Sequence, residues 1–264
     1  MSAQRSTTTL SEGDLMSKIH EEALGRSAVY ELLSLAFLYP GEGRVASLQE
    51  GVHGAMLAVS GLGWIETETA LRKLSRALGS HSDDALENDY TRAFGHSVSS
   101  DCPPYEGEYG QSDVFQKSQA LADLNTFYKA FGVALNPDLR DRHDHVSVEM
   151  EFVRLLTLKE AYAQRNNHGD DKVSLCKEAQ NAFLERHLAP WVLTFARRLR
   201  KKAAKGVYVS LAYLLEKYME REFKAFQLVA ISDETKTHST DVPEDEECEG
   251  DLTTAEPANA GGVS

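Results

Sequence analysis

Apolar residues recur at helical spacing through most of the chain. Val29, Leu32, Leu33, Ala36 and Phe37 make an apolar stripe that Pro40 and Gly41 bring to an end. Amphipathic stretches follow near 44–59 and 65–78, and a further helix is expected to start around Ser82–Asp84, where short polar side chains suit an N-cap. That helix carries Tyr90 and Phe94. Val114, Leu121, Leu124, Tyr128 and Phe131 then share one face of a long helix. The segment from Asp144 to Tyr162 is apolar on nearly every side, the pattern of a helix buried in a core. Two helices flank Pro190, which fits the first turn of the second, and the last helix runs from about Val207 to Val229. No strand-like alternation and no fixed internal repeat is found, so the expected fold is all-α, a compact single-domain helical bundle.

Two interruptions stand out. Residues 95–110 read GHSVSSDCPPYEGEYG, and Pro103 and Pro104 cannot lie inside a helix. A loop of this length in a compact domain is usually functional or disordered, and its two tyrosines argue for an ordered one. A second loop, read as a hinge, spans about 136–144. At the ends, residues 1–13 read as a disordered arm, 14–232 as the helical domain, and 233–264 as an acidic disordered tail.

Charge sharpens this division. The formal net charge is -13, and 233–264 holds ten acids against one base, leaving -4 for the remainder. The tail reads as a solubility appendage, so a chain ending at Ser232 is expected to stay folded. General nucleic-acid binding is disfavoured, because phosphates call for a basic face. The basic run Arg197, Arg198, Arg200, Lys201, Lys202 and Lys205 reads as a solvated helix face, with Phe195 and Leu199 on its buried side. No apolar run is long enough to span a membrane, and the N-terminus lacks a secretory h-region, so a cytoplasmic location is expected. Cys102, Cys176 and Cys248 are far apart and read as reduced thiols.

Candidate chemistry is sparse. GxGxxG, GxxxxGK[ST], GxSxG and HExxH are all missing. His143, Asp144, His145, Glu149 and Glu151 cluster, and His145 and Glu149 are four apart. A metal-dependent helical hydrolase built on His143, His145 and Glu149 is therefore one alternative, although a metal site needs more converging ligands. Asp144 reads more naturally as a helix cap, and no metal or cofactor is expected. A generic helical adaptor is the other alternative. In the loop, Tyr105 and Tyr109 alternate with Glu106 and Glu108, an acidic–aromatic surface suited to peptides bearing arginine.

Three segments together resemble the TorD/DmsD family of redox-enzyme maturation chaperones, related to NarJ. Tyr90–Gly95 running into Pro103-Pro104-Tyr105-Glu106 and Tyr109 is similar to the family's Y..LFG and PPYE..Y. Asp144-His145 with Glu149, Glu151 and Phe152 is similar to DHxxxExEF, and Phe183-Leu184 with His187, Leu188 and Trp191 to FL..HL..W. Tyr30-Glu31-Leu32-Leu33 with Phe37, Tyr39 and Pro40 adds to the match, which spans about residues 25–230. The loop is most similar to the subgroup serving type II DMSO-reductase-family molybdoenzymes. One departure is plain: an acidic residue and a proline often precede the Asp–His pair, whereas Arg142 and His143 stand here.

The resemblance implies an all-helical, non-catalytic, system-specific cytoplasmic chaperone. It would bind the twin-arginine leader and body of a molybdopterin oxidoreductase catalytic subunit, assist cofactor insertion and prevent premature export. Its implied peptide-binding residues are Tyr105, Glu106, Glu108, Tyr109, Asp144 and His145. A monomer is expected, able to form a dimer by exchange across its hinge loop. Replacing Asp144 and His145 together is expected to weaken client binding with little loss of stability.

Overall fold

The computed structural model describes residues 12–95, 101–110, 114–134 and 142–229. The expected tail, most of the expected N-terminal arm, residues 96–100 of the long loop and 136–141 of the hinge loop lie outside these.

Helix α1 (Glu12–Ala36) buries Val29, Leu32, Leu33 and Ala36, with Phe37 just beyond its end, as the apolar stripe requires. α2 (Arg44–Val59) and α3 (Ile65–Leu78) follow. α4 (Asp83–Phe94) starts where Ser82 Oγ accepts from the Ala85 N–H at 3.3 Å, the cap expected from the sequence. α5 (Val114–Ala130) and α6 (Val146–Arg165) carry the next two apolar faces. α7 (Asp170–Phe183) continues into a π-helical turn over Leu184–Leu188. α8 (Val192–Ala203) and α9 (Val207–Ala225) complete the bundle.

Two boundaries differ from expectation. Pro190 lies in the turn before α8, not in its first turn, because the π-helical turn and the residues after it carry the chain to Trp191, the N-cap. α9 stops at Ala225, since Gln227 adopts a positive φ of 58° that breaks the helical path. At its other end α9 begins after Gly206, whose φ is 90°. A side chain there would collide with the Asp89 carboxylate, which accepts from the Val207 N–H at 3.0 Å.

α1 packs along α6, while α3 and α8 pack against α9. Trp191, Tyr30, Tyr128, Tyr208, Tyr218, Phe37, Phe183 and Phe195 are fully buried in one continuous core. Phe195 and Leu199 face that core from α8 while Arg197, Arg198 and Arg200 remain outside, as read from the sequence. Among the described residues there is no strand beyond a single antiparallel bridge, and no helix is long and apolar enough to cross a membrane. Cys102 and Cys176 are unbridged, and burial pushes the Cys102 thiol up to about 12, so it stays protonated.

A buried ion network ties four helices together. Arg26 of α1 donates through Nε and Nη2 to Glu222 of α9, with Nη2 2.8 Å from Oε2, and Tyr30 adds its hydroxyl at 2.9 Å. Arg26 Nη1 also reaches Glu160 of α6 at 3.4 Å, and Glu160 accepts from Gln180 of α7 at 2.9 Å.

Candidate functional site

The acidic–aromatic loop and the Asp–His segment are zipped together. Glu106 N–H donates to the Asp144 carbonyl and Val146 N–H to the Pro104 carbonyl, each at 2.9 Å, pairing Tyr105 with His145. The two prolines suit this geometry: they exclude helix and have no N–H left to satisfy, and Tyr105 after them is extended. A short 3₁₀ turn over Glu106–Glu108 then reverses the chain. Tyr109 closes the loop, donating its hydroxyl to the Pro103 carbonyl at 2.9 Å and packing its ring 5.2 Å from Trp191.

Asp144 does not cap α6. His145 does, its Nδ1 accepting from the Ser147 N–H at 3.2 Å. The Asp144 carboxylate is taken up elsewhere: Arg142 grips both oxygens, Nε to Oδ1 at 2.9 Å and Nη2 to Oδ2 at 2.7 Å. Gly107 N–H also donates to Oδ2 at 3.1 Å. Gly107 favours this approach, because a Cβ there would sit 3.0 Å from Asp144 Oδ2 and 3.2 Å from Arg142 Nη2 and would press the pair aside by a few tenths of an ångström. The same guanidinium donates to Glu108 Oε1 at 2.9 Å and stacks over the Tyr105 ring at 4.6 Å. Lys117 of α5 reaches Glu108 Oε2 at 3.2 Å. The Arg142 hydrogen bond leads in holding the Glu108 carboxyl below its usual range.

Behind this layer lies a buried polar group that sequence reading did not assemble. The π-helical turn points His187 inward, where its Nδ1 stands 3.2 Å from both Glu106 oxygens. Its Nε2 lies 3.3 Å from Asp123 Oδ2 but without hydrogen-bond geometry. Glu149, in the first turn of α6, is fully buried, and neither oxygen has a hydrogen-bond partner among the described residues. A candidate donor, Trp191 Nε1, is also without an aligned partner. Burial first, then the charges of Glu106 and Asp144, push the Glu149 carboxyl well above its usual range. Burial also raises Glu106, against the opposing pull of His187.

This has a sign that can be measured. A carboxyl with a raised folded-state pKa holds its proton longer in the folded chain, so stability is highest below the ordinary carboxylate range and falls as pH rises through the raised value. The limiting slope is about 1.4 kcal/mol per pH unit for one proton. Glu149→Gln is therefore expected to flatten the fall in urea midpoint between pH 5 and 8, leaving only the smaller Glu106 share. An unchanged slope would show that Glu149 is charged in the folded protein.

The six sequence-predicted residues thus come together, in distinct environments. Asp144 and His145 are 1% and 2% exposed, and Glu106 is largely covered. Glu108 keeps a side chain 29% exposed and is the accessible carboxylate of the six. Tyr105 lies half-buried between Arg142 and His145, and Tyr109 pins the loop to the core. The residues considered for a metal set diverge: His143 Nδ1 meets Asn125 Oδ1 at 2.6 Å, His145 caps α6 and Glu149 is sealed inside. Arg142 was visible in the sequence only as a departure from the family pattern, and His187 only as part of the third motif.

A profile of the family described as nitrate reductase delta subunit matches residues 65–197. The chain is 26% identical over 219 residues to the perchlorate reductase assembly chaperone protein of Dechloromonas aromatica, covering 80% of this chain and 94% of that one. It is 34% identical over 120 residues to the selenate reductase assembly chaperone protein of Thauera selenatis, covering 44% and 58%. It is 28% identical over 165 residues to the chaperone protein TorD of Photobacterium profundum, covering 60% and 74%. With the profile spanning half of its length and the zipped loop at its centre, the chain belongs to the nitrate reductase delta subunit family, which takes in the TorD-type assembly chaperones.

Proposed function

We propose that this protein is a system-specific assembly chaperone for the catalytic subunit of a molybdopterin oxidoreductase, that it acts in the cytoplasm, and that it has no catalytic activity of its own. The observation that carries this reading is the similarity to a perchlorate reductase assembly chaperone over 94% of that protein's length. The chaperone holds the subunit during cofactor insertion and binds its twin-arginine leader at the zipped loop, delaying export.

The geometry suggests how a leader arginine is received. Tyr105, Glu108 and Asp144 already form a guanidinium site: a flat ring, an accessible carboxylate and a buried one, all engaged by Arg142. A leader arginine approaches at Glu108, the member that solvent reaches, and shares or displaces Arg142 and Lys117 there. Glu106 serves indirectly, by holding the 3₁₀ turn through His187.

A leader peptide with both arginines and one with both changed to alanine are titrated by fluorescence anisotropy. The intact peptide is expected to bind more tightly. Glu108→Gln should remove roughly 1 kcal/mol of that preference, about fivefold, as befits a partly exposed charge pair. Its effect on stability should stay within about 0.5 kcal/mol. Equal affinity for both peptides in the unaltered chain would overturn arginine recognition at this loop.

A further inference from the structure

We propose that an open groove away from the zipped loop is a second binding site, and that it takes an amphipathic helix whose apolar face is flanked by carboxylates. The groove has a volume of about 860 Å³ and is walled by α1, α6 and α7, with Phe131 after α5 at its edge. Its walls are built from helix faces in register: His20 and Leu24 on α1, Leu158 and Tyr162 on α6, Lys172 and Cys176 on α7, each pair four residues apart.

Two features define the occupant. The first is apolar surface left open. Leu24, Tyr162 and Leu175 are 40%, 62% and 53% exposed, and these three of the seven large exposed apolar residues among those described line this one groove. Clustering of this kind marks an interaction surface, whereas single exposed apolar residues do not. An open trough between helices suits a partner helix that inserts side chains at i, i+3, i+4 and i+7.

The second feature is charge. Lys159, Arg165 and Lys172 line the groove and no described carboxylate does, on a chain with a net charge of -13. Lys159 and Arg165 make no ion pair among the described residues, and Lys172 has only the exposed Asp171 at 3.9 Å. The nearby Glu160 is turned inward to Arg26 and Gln180. Two unpaired cations and a third held only by an exposed carboxylate, around an apolar floor, favour carboxylates on the incoming helix and repel a leader with two arginines. His20 adds a third observation: its Nδ1 is buried without a hydrogen-bond partner among the described residues. The groove therefore serves a different part of the client from the leader, a segment of its body. Only that identification of the partner rests on the chaperone reading; the chemistry of the site does not.

The test uses the full chain and a labelled 18-residue amphipathic helix with leucines at i, i+3, i+4 and i+7 and flanking glutamates. Two control peptides replace the glutamates by lysine or the leucines by serine. The acidic peptide is expected to bind at micromolar concentration, with both controls at least about tenfold weaker. Leu175→Asp and Lys172→Glu, both at exposed positions, should each weaken it at least about fivefold while circular dichroism stays unchanged. The twin-arginine leader should bind both variants as it binds the unaltered chain, which separates this site from the loop. Failure of the leader to bind at all would count against the proposed function and leave the groove standing. Absence of saturable binding, equal affinity for acidic and basic peptides, or indifference to Leu175→Asp would overturn the inference. So would a dimer in sedimentation, or binding to phosphatidylglycerol vesicles, that Leu175→Asp abolishes while peptide affinity stays the same.

Discussion

Arg26→Met is expected to destabilise the protein by about 2–4 kcal/mol, somewhat under the cost of leaving buried charge with no partner at all. Arg26 is 6% exposed and Glu222 is fully buried, joined by a fork of hydrogen bonds between α1 and α9. Glu160, 3% exposed, depends on the same guanidinium. Removing Arg26 leaves these two carboxylates in the core, with Lys177 at 3.5 Å from Glu160 and Arg221 at 2.5 Å from Glu222 Oε1 as partial relief. The variant loses methylene packing of similar size to what methionine restores, so charge dominates the effect. Urea titration should show a lower midpoint at unchanged m value, the mark of altered stability in an unaltered fold. Arg26→Met combined with Glu222→Leu should recover much of the loss, since an apolar replacement of both partners removes the orphaned charge. A loss under about 1 kcal/mol for the single variant would mean that Arg221 and Lys177, or entering water, neutralise the two carboxylates without Arg26.

The second large effect is expected at the zipped loop. Asp144→Asn with His145→Ala should cost about 2–4 kcal/mol, from a lost charge-assisted fork and a lost helix cap. This reverses the sequence-based expectation of little change in stability. Both residues are buried, Asp144 holds Arg142 and the Gly107 N–H, and His145 caps α6 while its ring stands 5.1 Å from Tyr105. Each therefore supports the loop that a ligand would meet. Thermal and urea unfolding of the double variant, set beside Glu108→Gln, separates support from contact. If the double variant keeps full stability, the pairing of loop and Asp–His segment is not what orders residues 101–110.

Local pattern carried much of the fold. The stripe from Val29 to Phe37, the stop at Pro40–Gly41 and the Ser82 cap are all read within a few residues, because helix periodicity and capping are set by near neighbours. The PPYE loop and the Asp–His segment were likewise legible as candidate surface, since prolines and a run of polar residues exclude helix locally. What each side chain does there was not. The cap fell to His145 because Asp144 was claimed by Arg142 and by Gly107, which lies 37 residues away in the chain. Glu106 found His187 across 81 residues, and Arg26 found Glu222 across 196. Glu149 stood as a metal-ligand candidate at helical spacing from His145, yet its face of α6 turned away from His143 and His145 and left the carboxylate sealed in the core. The groove is also a product of packing: His20, Tyr162 and Leu175 sit on three separate helices. Spacing along one helix determines which residues share a face, and only the packing of helices decides whether that face meets the core, a charge or open solvent.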